Sequence, residues 1–501
     1  MAALIAIALS AAMGLLVAAA ARSAPTERPR SAAPLVILMV WDGLRPDSVS
    51  PANTPNLYAL AHQGVYLAHH HAMYPSLTMV NAATLATGAP PSVTGIIANS
   101  MFLGPLLEGA AGPASGPLAR ARVAPANLEK SDLLSALSST AQFKDRVVDV
   151  PSIAQEVLRT GGYFGIVGKS GPTFLFDDRI GGADRKGASD EIFISDDQFA
   201  PQSLAPELQG RINLAALKAA FHESPPFGEQ DALLTRDFID RALPAGAAAI
   251  NSGRPALLVL WQHNPDITEH AAGVGTAAFY QALAGCDANL GKLRAAMAAL
   301  HLENKADLVV VSDHGFATIK MRVSLAELLV AQRLKKSATS DDVTVAHNFG
   351  SDVLYLSPHL DSASRSGLLR KIVNYAAAQE WCGPIFSRPG ASGDNGYLGE
   401  IPGTFSQAWF DLFNPARAPD LIISFRELPD EDNSALTGPR APAFVLGKDG
   451  KQAEQNHSQP LVHPMPGVSY ADSGAMATTG NGSHGALGEY EMHNFGAALG
   501  P

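Results

Sequence analysis

The stretch LVILMVWDG, residues 35–43, is the strongest single indication of the fold of this chain. Its first seven residues, Leu35–Trp41, form a continuous apolar run without polar alternation, which predicts a strand buried on both faces. Asp42 follows this run directly. Ligands of α/β proteins collect at the carboxyl ends of parallel strands, so Asp42 is a candidate site residue. In isolation, Asp42-Gly43 would more often be an ordinary turn.

Two further apolar runs have the same form, ALLVLW at 256–261 and DLVVVS at 307–312. The residues that follow them are of metal-ligand type: Asp266, His270, Asp313 and His314. Another strand is predicted at 163–167, and helices are predicted at residues 54–64, 78–87, 152–161 and 276–300. Strands that alternate with helices predict a parallel sheet with both faces covered, which places these carboxyl ends at one edge.

The N-terminal residues have a composition of their own. Residues 2–21 are almost purely apolar and rich in Ala, and residues 1–24 are predicted to be a signal peptide with a small-residue cleavage region. Export to the periplasm or the outside is therefore expected. The alternative is an uncleaved membrane anchor, since the length would just span a bilayer. No other segment of the sequence is long and apolar enough, so no membrane span is expected in the mature form.

The rest of the chain can be divided by its composition and by the alternation of predicted strands and helices. Residues 25–33 form a polar linker, and residues 34–325 are predicted to be the first part of a catalytic core. Residues 326–420 lose the alternation of strands and helices and are predicted to form an inserted cap. DLIISF, Asp420–Phe425, is a predicted strand that returns to the core. Residues 421–501 are predicted to complete the core and to carry its last metal ligand.

The composition excludes some classes of function. Lys and Arg number 36 against 47 Asp and Glu in 501 residues, a net charge of −11 with neutral His. Such a surface repels a nucleic-acid polymer, and a small phosphoester substrate would need a local positive centre such as bound metal ions. Cys286 and Cys382 form no Cys-x-x-Cys motif, which excludes a thiolate zinc site. Neither a pairing of these two thiols nor an oligomeric state follows from the sequence.

Two more polar residues complete the candidate site. Thr78, in YPSLTMVN, begins a predicted helix, where backbone N–H groups and the helix dipole favour an anion. His484 lies in the Gly-rich turn GNGSHGALG. Alone, Thr78 would be an ordinary N-cap and His484 a surface residue. Together with the strand-end residues they make three carboxylates, three imidazoles and one hydroxyl, a ligand set for two divalent metals with a nucleophile between them.

These motifs resemble the alkaline phosphatase superfamily, and more closely its type I phosphodiesterase/nucleotide pyrophosphatase branch. The matching elements are Asp42-Gly43, Pro75-Ser76-Leu77-Thr78, Thr87-Gly88, the segment from Thr94 to Asn99, Asp266-x-x-x-His270, Asp313-His314-Gly315 and Gly482-Ser483-His484-Gly485. The resemblance implies an α/β fold, an alkaline-phosphatase-like three-layer αβα sandwich with a central, mostly parallel sheet and an inserted cap subdomain.

The resemblance also implies roles for the residues. One metal would be held by Asp266, His270 and His484, and the other by Asp42, Thr78, Asp313 and His314. Thr78 would be the nucleophile, and Asn99 would donate to a phosphoryl oxygen together with the backbone N–H of Thr78. Three His beside three Asp favour two Zn²⁺. The implied enzyme cleaves phosphodiester or pyrophosphate bonds through a covalent phospho-threonine intermediate.

Lys169 bears on the choice of substrate. The segment IVGKSG, residues 166–171, stands where relatives that favour monoesters carry a Lys-x-Arg or Lys-x-Lys pair, and Gly171 replaces the second cation. This departure favours diesters or pyrophosphates. The alternatives are a phosphomonoesterase or phosphonate hydrolase that uses Lys169 as a phosphate contact, and a non-catalytic phosphate- or nucleotide-binding protein. Sulfatase chemistry is not expected, since neither cysteine stands in the C-x-P-x-R context that it needs.

Overall fold

The computed structural model describes residues 35–109, 115–143, 146–177, 191–195, 215–216, 219, 224–390, 396–436, 442–446, 452–456, 461–472 and 478–501. The predicted signal peptide, residues 1–24, and the predicted linker, residues 25–33, lie outside these ranges. None of the helices within them combines the length and the apolar character that crossing a bilayer requires.

The central sheet has seven strands within the described residues. In spatial order they are Val65–Tyr66, Gly496–Leu499, Ala306–Val311, Leu35–Trp41, Ala256–Gln262, Tyr163–Gly168 and Glu191–Ser195. The last five are parallel to one another, and Gly496–Leu499 is antiparallel to both of its neighbours, Ala306–Val311 and Val65–Tyr66. Leu35–Trp41 lies between two parallel partners, which explains its unbroken apolar run.

Helices complete the layers on either side of this sheet. The helices of the described residues are Pro55–Gln63, Thr78–Thr87, Pro91–Thr94, Pro117–Ala121, Ser131–Ser138, Ile153–Arg159, Ser170–Phe176, Gly228–Asp237, Leu243–Asn251, Asp266–Ala272, Ala277–Ala299, Leu325–Ala331, Ser362–Ala377 and Glu489–Met492, with single turns at Pro46–Ser48, Phe238–Ala242 and Gln407–Phe410. Val40 and Val259 pack into one core with helix Thr78–Thr87. Ile37 and Leu258 pack into another with helix Ala277–Ala299. The predicted three-layer α/β architecture is therefore confirmed.

Four strands of a five-stranded sheet lie in the segment predicted as an insertion, and the fifth follows it directly. The strands of this sheet, in spatial order, are Val343–Asn348, Ser351–Leu356, Leu421–Phe425, Cys382–Ser387 and Phe405–Ser406. Leu421–Phe425, the predicted strand that returns to the core, pairs antiparallel with Ser351–Leu356 and Cys382–Ser387. All five of its residues are buried, so its apolar run reflects burial in this second sheet. The capping role of residues 326–420 and the domain boundaries stay predictions.

A third sheet connects two of the candidate histidines. Its path within the described residues is Glu427–Asp432, Pro466–Ala471, Ala317–Val323, Pro442–Leu446 and Gln452–Asn456, with Gly482–Ser483 paired to Ala317–Val323. A separate pair joins Ser100–Met101 to Ala126–Asn127. Ala317 follows His314 by three residues and pairs with Ser483, which directly precedes His484. This antiparallel pairing brings the two histidines side by side.

The two cysteines lie in different parts of the fold. Cys286 is buried in helix Ala277–Ala299, and Cys382 begins a strand of the five-stranded sheet. Both are free thiols in this structure.

Candidate metal centre

The carboxyl ends of three parallel strands deliver most of the predicted residues to one edge of the central sheet. Asp42 follows Leu35–Trp41, whose Trp41 is in register with Gln262 of the neighbouring strand. The backbone N–H of Asp266, the first residue of the next helix, donates to the carbonyl of Asp42 at 3.0 Å. Asp313 and His314 follow the strand on the other side. The convergence of these residues is thus a consequence of parallel strand pairing.

Asp266, His270 and His484 form a first cluster. Their nearest ligand atoms are 3.3 Å apart from Asp266 Oδ1 to His270 Nε2, 3.4 Å from Asp266 Oδ1 to His484 Nε2, and 3.2 Å between the two Nε2 atoms. Ligand atoms bound about 2.0 Å from a tetrahedral zinc are about 3.3 Å apart. The three separations therefore match the distances between ligand atoms in a tetrahedral zinc site.

Asp42, Asp313, His314 and Thr78 form a second cluster. His314 Nε2 lies 3.3 Å from Asp42 Oδ1, 3.3 Å from Asp313 Oδ2 and 3.1 Å from the hydroxyl of Thr78. The rings of His314 and His484 stack with centroids 3.6 Å apart and an interplanar angle of 8°, which joins the clusters. All seven predicted metal ligands are thus in one place.

The second ring nitrogen of each histidine meets a backbone carbonyl. The Nδ1 atoms of His270, His314 and His484 lie 3.1, 3.1 and 2.8 Å from the carbonyls of Gly482, Gly315 and Ser76. A carbonyl accepts, so each neutral ring carries its proton on Nδ1 and leaves the lone pair of Nε2 for a ligand. With the proton of each ring on Nδ1, the Nε2 lone pairs of His270 and His484 face each other at 3.2 Å, an arrangement that a cation would stabilise.

The carboxylates of the two clusters also have oxygens that are free to bind a cation. Asp42 Oδ1, Asp266 Oδ1 and Asp313 Oδ2 are buried without a hydrogen-bond partner in the described part of the chain. The other oxygens are held, since Asp42 Oδ2 accepts from Trp261 Nε1 at 2.9 Å and Asp313 Oδ1 accepts from the N–H of Gly43 at 3.1 Å. A buried carboxylate oxygen without a partner is costly unless it binds a cation. The donor set therefore fits two divalent metal ions.

Proton affinities at the site reflect its crowded negative charge. Burial raises the pKa of the Asp313 carboxyl, and the neighbouring Asp42 raises it further, to about 8. Burial by itself would lower the pKa of His314, but the carboxylates of Asp313 and Asp42 raise it to about 9. Burial and the adjacent His314 hold the pKa of His484 well below its usual range. Metal binding would therefore compete with protons at this centre.

Lys169 lies between the two clusters. Its Nζ is 2.9 Å from Asp42 Oδ2 and 3.5 Å from Asp266 Oδ2. Burial would lower the pKa of this ammonium, but the two carboxylates raise it well above its usual value. A Cβ on Gly171 would lie 2.8 Å from the Cα of Glu129, so the position has no room for a second cationic side chain. A contact between Lys169 and phosphate stays a prediction.

Thr78 is the first residue of helix Thr78–Thr87 and is 1% exposed. Leu77 at the N-cap has no capping side chain, and Asn99 takes this part by accepting from the N–H of Met79 at 2.9 Å. The acceptor role fixes the orientation of the Asn99 amide and leaves its NH₂ group as a donor. The geometry suits donation to an anion at the helix N-terminus, the role predicted for Asn99.

Phe316 is a residue of the site that the sequence analysis missed. Its fully buried ring has centroid distances of 4.9, 5.0 and 5.8 Å to the rings of His270, His484 and His314. A Cβ on Gly43 or Gly482 would lie 2.8 or 2.7 Å from this ring, so both glycines make room for it. The indication of this residue in the sequence was its aromatic side chain two positions after His314.

Glu491 supports the loop behind His484 and predicts a pH-dependent stability. Its Oε2 accepts from the N–H of Ala486 at 2.6 Å. Burial and the neighbouring Glu427 raise its pKa to about 8. The folded protein holds the proton of Glu491 more tightly than the unfolded chain does. The resulting contribution to the free energy of unfolding is therefore complete at pH 4 and is lost as the pH rises toward 8.

We expect Glu491→Gln, which is neutral at every pH, to raise the free energy of unfolding at pH 9 by on the order of 2 to 4 kcal/mol. At pH 4 to 5 the difference should be small. Urea unfolding at the two pH values measures it, with Glu489→Gln, an exposed carboxyl on the same helix, as the control. A gain that is the same at both pH values would contradict the expectation.

Comparison with known proteins gives two sequence matches. A family profile described as type I phosphodiesterase / nucleotide pyrophosphatase matches residues 36–423. A protein of Schizosaccharomyces pombe described as an uncharacterized pyrophosphatase/phosphodiesterase is 37% identical over 67 residues. That alignment covers 13% of this chain and 14% of the length of the yeast protein.

Solved structures with a similar fold cover nearly the whole chain. Murine ectonucleotide pyrophosphatase / phosphodiesterase 5 superposes with a TM-score of 0.53 at 17% identity, over 93% of this chain and 88% of that one. Phosphonoacetate hydrolase from Sinorhizobium meliloti, in complex with phosphonoacetate, superposes with a TM-score of 0.52 at 15% identity, over 93% and 89%. At these identities the likeness concerns the fold.

Proposed function

The chain belongs to the type I phosphodiesterase/nucleotide pyrophosphatase family of the alkaline phosphatase superfamily, and on that premise we propose that it is a two-metal phosphoester hydrolase. It would cleave phosphodiester or pyrophosphate bonds of small molecules through a phospho-threonine at Thr78. One observation carries the proposal. The buried hydroxyl of Thr78 lies at a helix N-terminus, 3.1 Å from His314 Nε2, in a cluster with metal-ligand spacing that the stacked rings of His314 and His484 join to the other cluster.

The residues divide the work as follows. Two divalent cations, most suitably Zn²⁺, would supply positive charge and lower the pKa of the Thr78 hydroxyl. The residues that would hold them are Asp266, His270 and His484 for one and Asp42, Asp313, His314 and Thr78 for the other. Thr78 Oγ attacks phosphorus as the bond to the leaving oxygen breaks, and the leaving group takes up a proton. Water then attacks the phospho-threonine, and Thr78 regains its proton. Asn99 and the N–H of Thr78 donate to the phosphoryl oxygens.

Diester or pyrophosphate substrates are favoured by the surroundings of Lys169. A monoester dianion carries one charge more than a diester and is best met by a second cation. Position 171 has no room for one, because a Cβ there would lie 2.8 Å from the backbone of Glu129. Lys169 itself is engaged by Asp42 and Asp266. A phosphomonoesterase or phosphonate hydrolase that uses Lys169 is the alternative within enzymes, and a phosphate- or nucleotide-binding protein is the alternative outside them.

A substrate panel tests the proposal. We expect the zinc-loaded protein to hydrolyse an aryl phosphodiester with a kcat/KM about tenfold or more above that for the matched aryl phosphomonoester, a difference of about 1.4 kcal/mol or more. A dinucleotide pyrophosphate and phosphonoacetate complete the panel, and metal-stripped protein is the control. Preference for the monoester or for phosphonoacetate would support the enzymatic alternative. Binding of these compounds without turnover would support a binding protein.

Export is a further part of the proposal. The Ala-rich apolar composition of residues 1–24 supports a cleaved signal peptide and a periplasmic or secreted protein. Cell fractionation with N-terminal sequencing of the mature protein would test it, and an intact N-terminus in the cytoplasmic fraction would contradict it.

A further inference from the structure

His347, Asp352 and Asp472 form a third cluster outside the two at Thr78. His347 Nδ1 lies 3.0 Å from Asp472 Oδ2 and 3.6 Å from Asp352 Oδ2. One ligand atom from each residue lies within 4.8 Å of the other two. The Asp352 and Asp472 side chains are fully buried, whereas the imidazole of His347 is 35% exposed. The cluster therefore has two buried carboxylates and one side open to solvent.

Regular backbone holds these three residues in place. His347 and Asp352 are directly opposite each other in the antiparallel pair of Val343–Asn348 and Ser351–Leu356. Asp472 follows strand Pro466–Ala471, and its backbone exchanges hydrogen bonds of 2.9 and 2.7 Å with Phe349 in the turn of that hairpin. The spacing of the three side chains is therefore set by strand pairing, which favours a built site over a chance encounter of surface charges.

The cluster shares both signatures of the candidate metal centre. The two separations from His347 Nδ1, 3.0 and 3.6 Å, bracket the edge of about 3.3 Å expected for a tetrahedral site. Asp352 Oδ2 and His347 Nδ1 are buried atoms that, within the ranges that the structure covers, have no hydrogen-bond partner outside the cluster itself. Burial and the adjacent Asp472 also raise the pKa of Asp352 well above its ordinary value. The two carboxylates repel each other until a positive charge lies between them.

We propose that His347, Asp352 and Asp472 form a third divalent-cation site, separate from the centre at Thr78. One imidazole nitrogen with two carboxylate oxygens suits a transition ion such as Zn²⁺ or Mn²⁺. The exposed side of His347 provides the path of entry. The competing occupant is a proton, because the two carboxylates outweigh burial and raise the pKa of His347 to about 11.

Occupation of this site would stabilise the surroundings of the first cluster. The turn between the two strands contains Phe349, whose φ of 56° is unfavourable for a residue with a side chain. The Phe349 ring stacks on His270 with centroids 4.5 Å apart at 26°, and the N–H of Gly350 donates to the carbonyl of His484 at 2.8 Å. A cation at His347 would hold the strands that position this turn.

Metal stoichiometry tests the inference without reference to turnover. The full chain is stripped of metal, dialysed against Zn²⁺ and measured by elemental analysis. We expect Asp352→Asn and His347→Gln each to bind about one equivalent fewer than the wild type, since each removes a ligand that the ion needs. Asp341→Asn, an exposed carboxylate just before the same hairpin, is the matched control and should bind as much as the wild type.

The outcomes separate a metal site from a buried ion pair. Wild-type stoichiometry in both variants would overturn the inference and leave a protonated His347 between two aspartates. Should Asp352→Asn fail to fold by circular dichroism, His347→Gln decides, because its side chain is 35% exposed and less needed for packing. The result is independent of the proposed hydrolysis, since a protein without phosphoester turnover could still lose the equivalent in these variants.

Discussion

Replacing Thr78 by alanine is expected to lower kcat/KM by about a thousandfold or more, because the variant lacks the hydroxyl that forms the covalent intermediate. The fold should persist, since alanine is a good helix former and Thr78 begins a helix. Zinc content should stay close to that of the wild type, because carboxylates and imidazoles supply the other ligands. Steady-state kinetics with an aryl phosphodiester and elemental analysis of the same preparation measure both effects.

Two comparisons make this result specific to the nucleophile. Thr84→Ala removes a buried hydroxyl from a half-buried residue of the same helix and should leave kcat/KM unchanged. Acid quenching during turnover of the diester should trap the phosphoryl group, still esterified to the alcohol that has not left, on the peptide that contains Thr78 in the wild type, and the Thr78→Ala protein should show none. Activity of Thr78→Ala within about tenfold of the wild type would exclude the assigned nucleophile.

Asp266→Asn is expected to weaken zinc binding by about a hundredfold or more and to abolish most turnover. Asp266 Oδ1 lies 3.3 and 3.4 Å from the Nε2 atoms of His270 and His484, so the substitution removes negative charge from the middle of the first cluster. An amide oxygen is a weaker ligand than a carboxylate. Competition with a zinc-binding dye gives the affinity of each variant.

The control for this substitution is a buried aspartate away from the centre. Asp287 accepts from the N–H groups of Leu57 and Asn56 at 2.9 and 3.1 Å and thereby caps helix Pro55–Gln63. Asp287→Asn should lower Tm, since a lost cap costs about 1 kcal/mol, but should leave zinc affinity intact. If both variants lost stability and neither lost zinc affinity, Asp266 would be a structural residue and not a ligand.

The strands and the helix ends were predictable from local sequence. The central strand has the unbroken apolar sequence LVILMVW because both of its faces are covered. Whether a segment is buried can therefore be read from the hydrophobicity of its own residues. The same holds for helix Pro55–Gln63, which has Pro as its first residue and Gly just after its end. Parallel pairing then requires that residues after these strands meet at one edge, so the approximate position of the candidate metal centre could also be predicted from the sequence.

The tertiary structure alone decided the contacts between segments distant in the chain. Phe316 reaches three imidazoles, and the carbonyls that orient those rings belong to Gly482, Gly315 and Ser76. Leu421–Phe425 joins the five-stranded sheet, and Asp472 meets the His347 hairpin more than a hundred residues away. Periodicity reports whether a segment is buried, but it carries no information on which partner buries it. That choice depends on the packing of the whole chain.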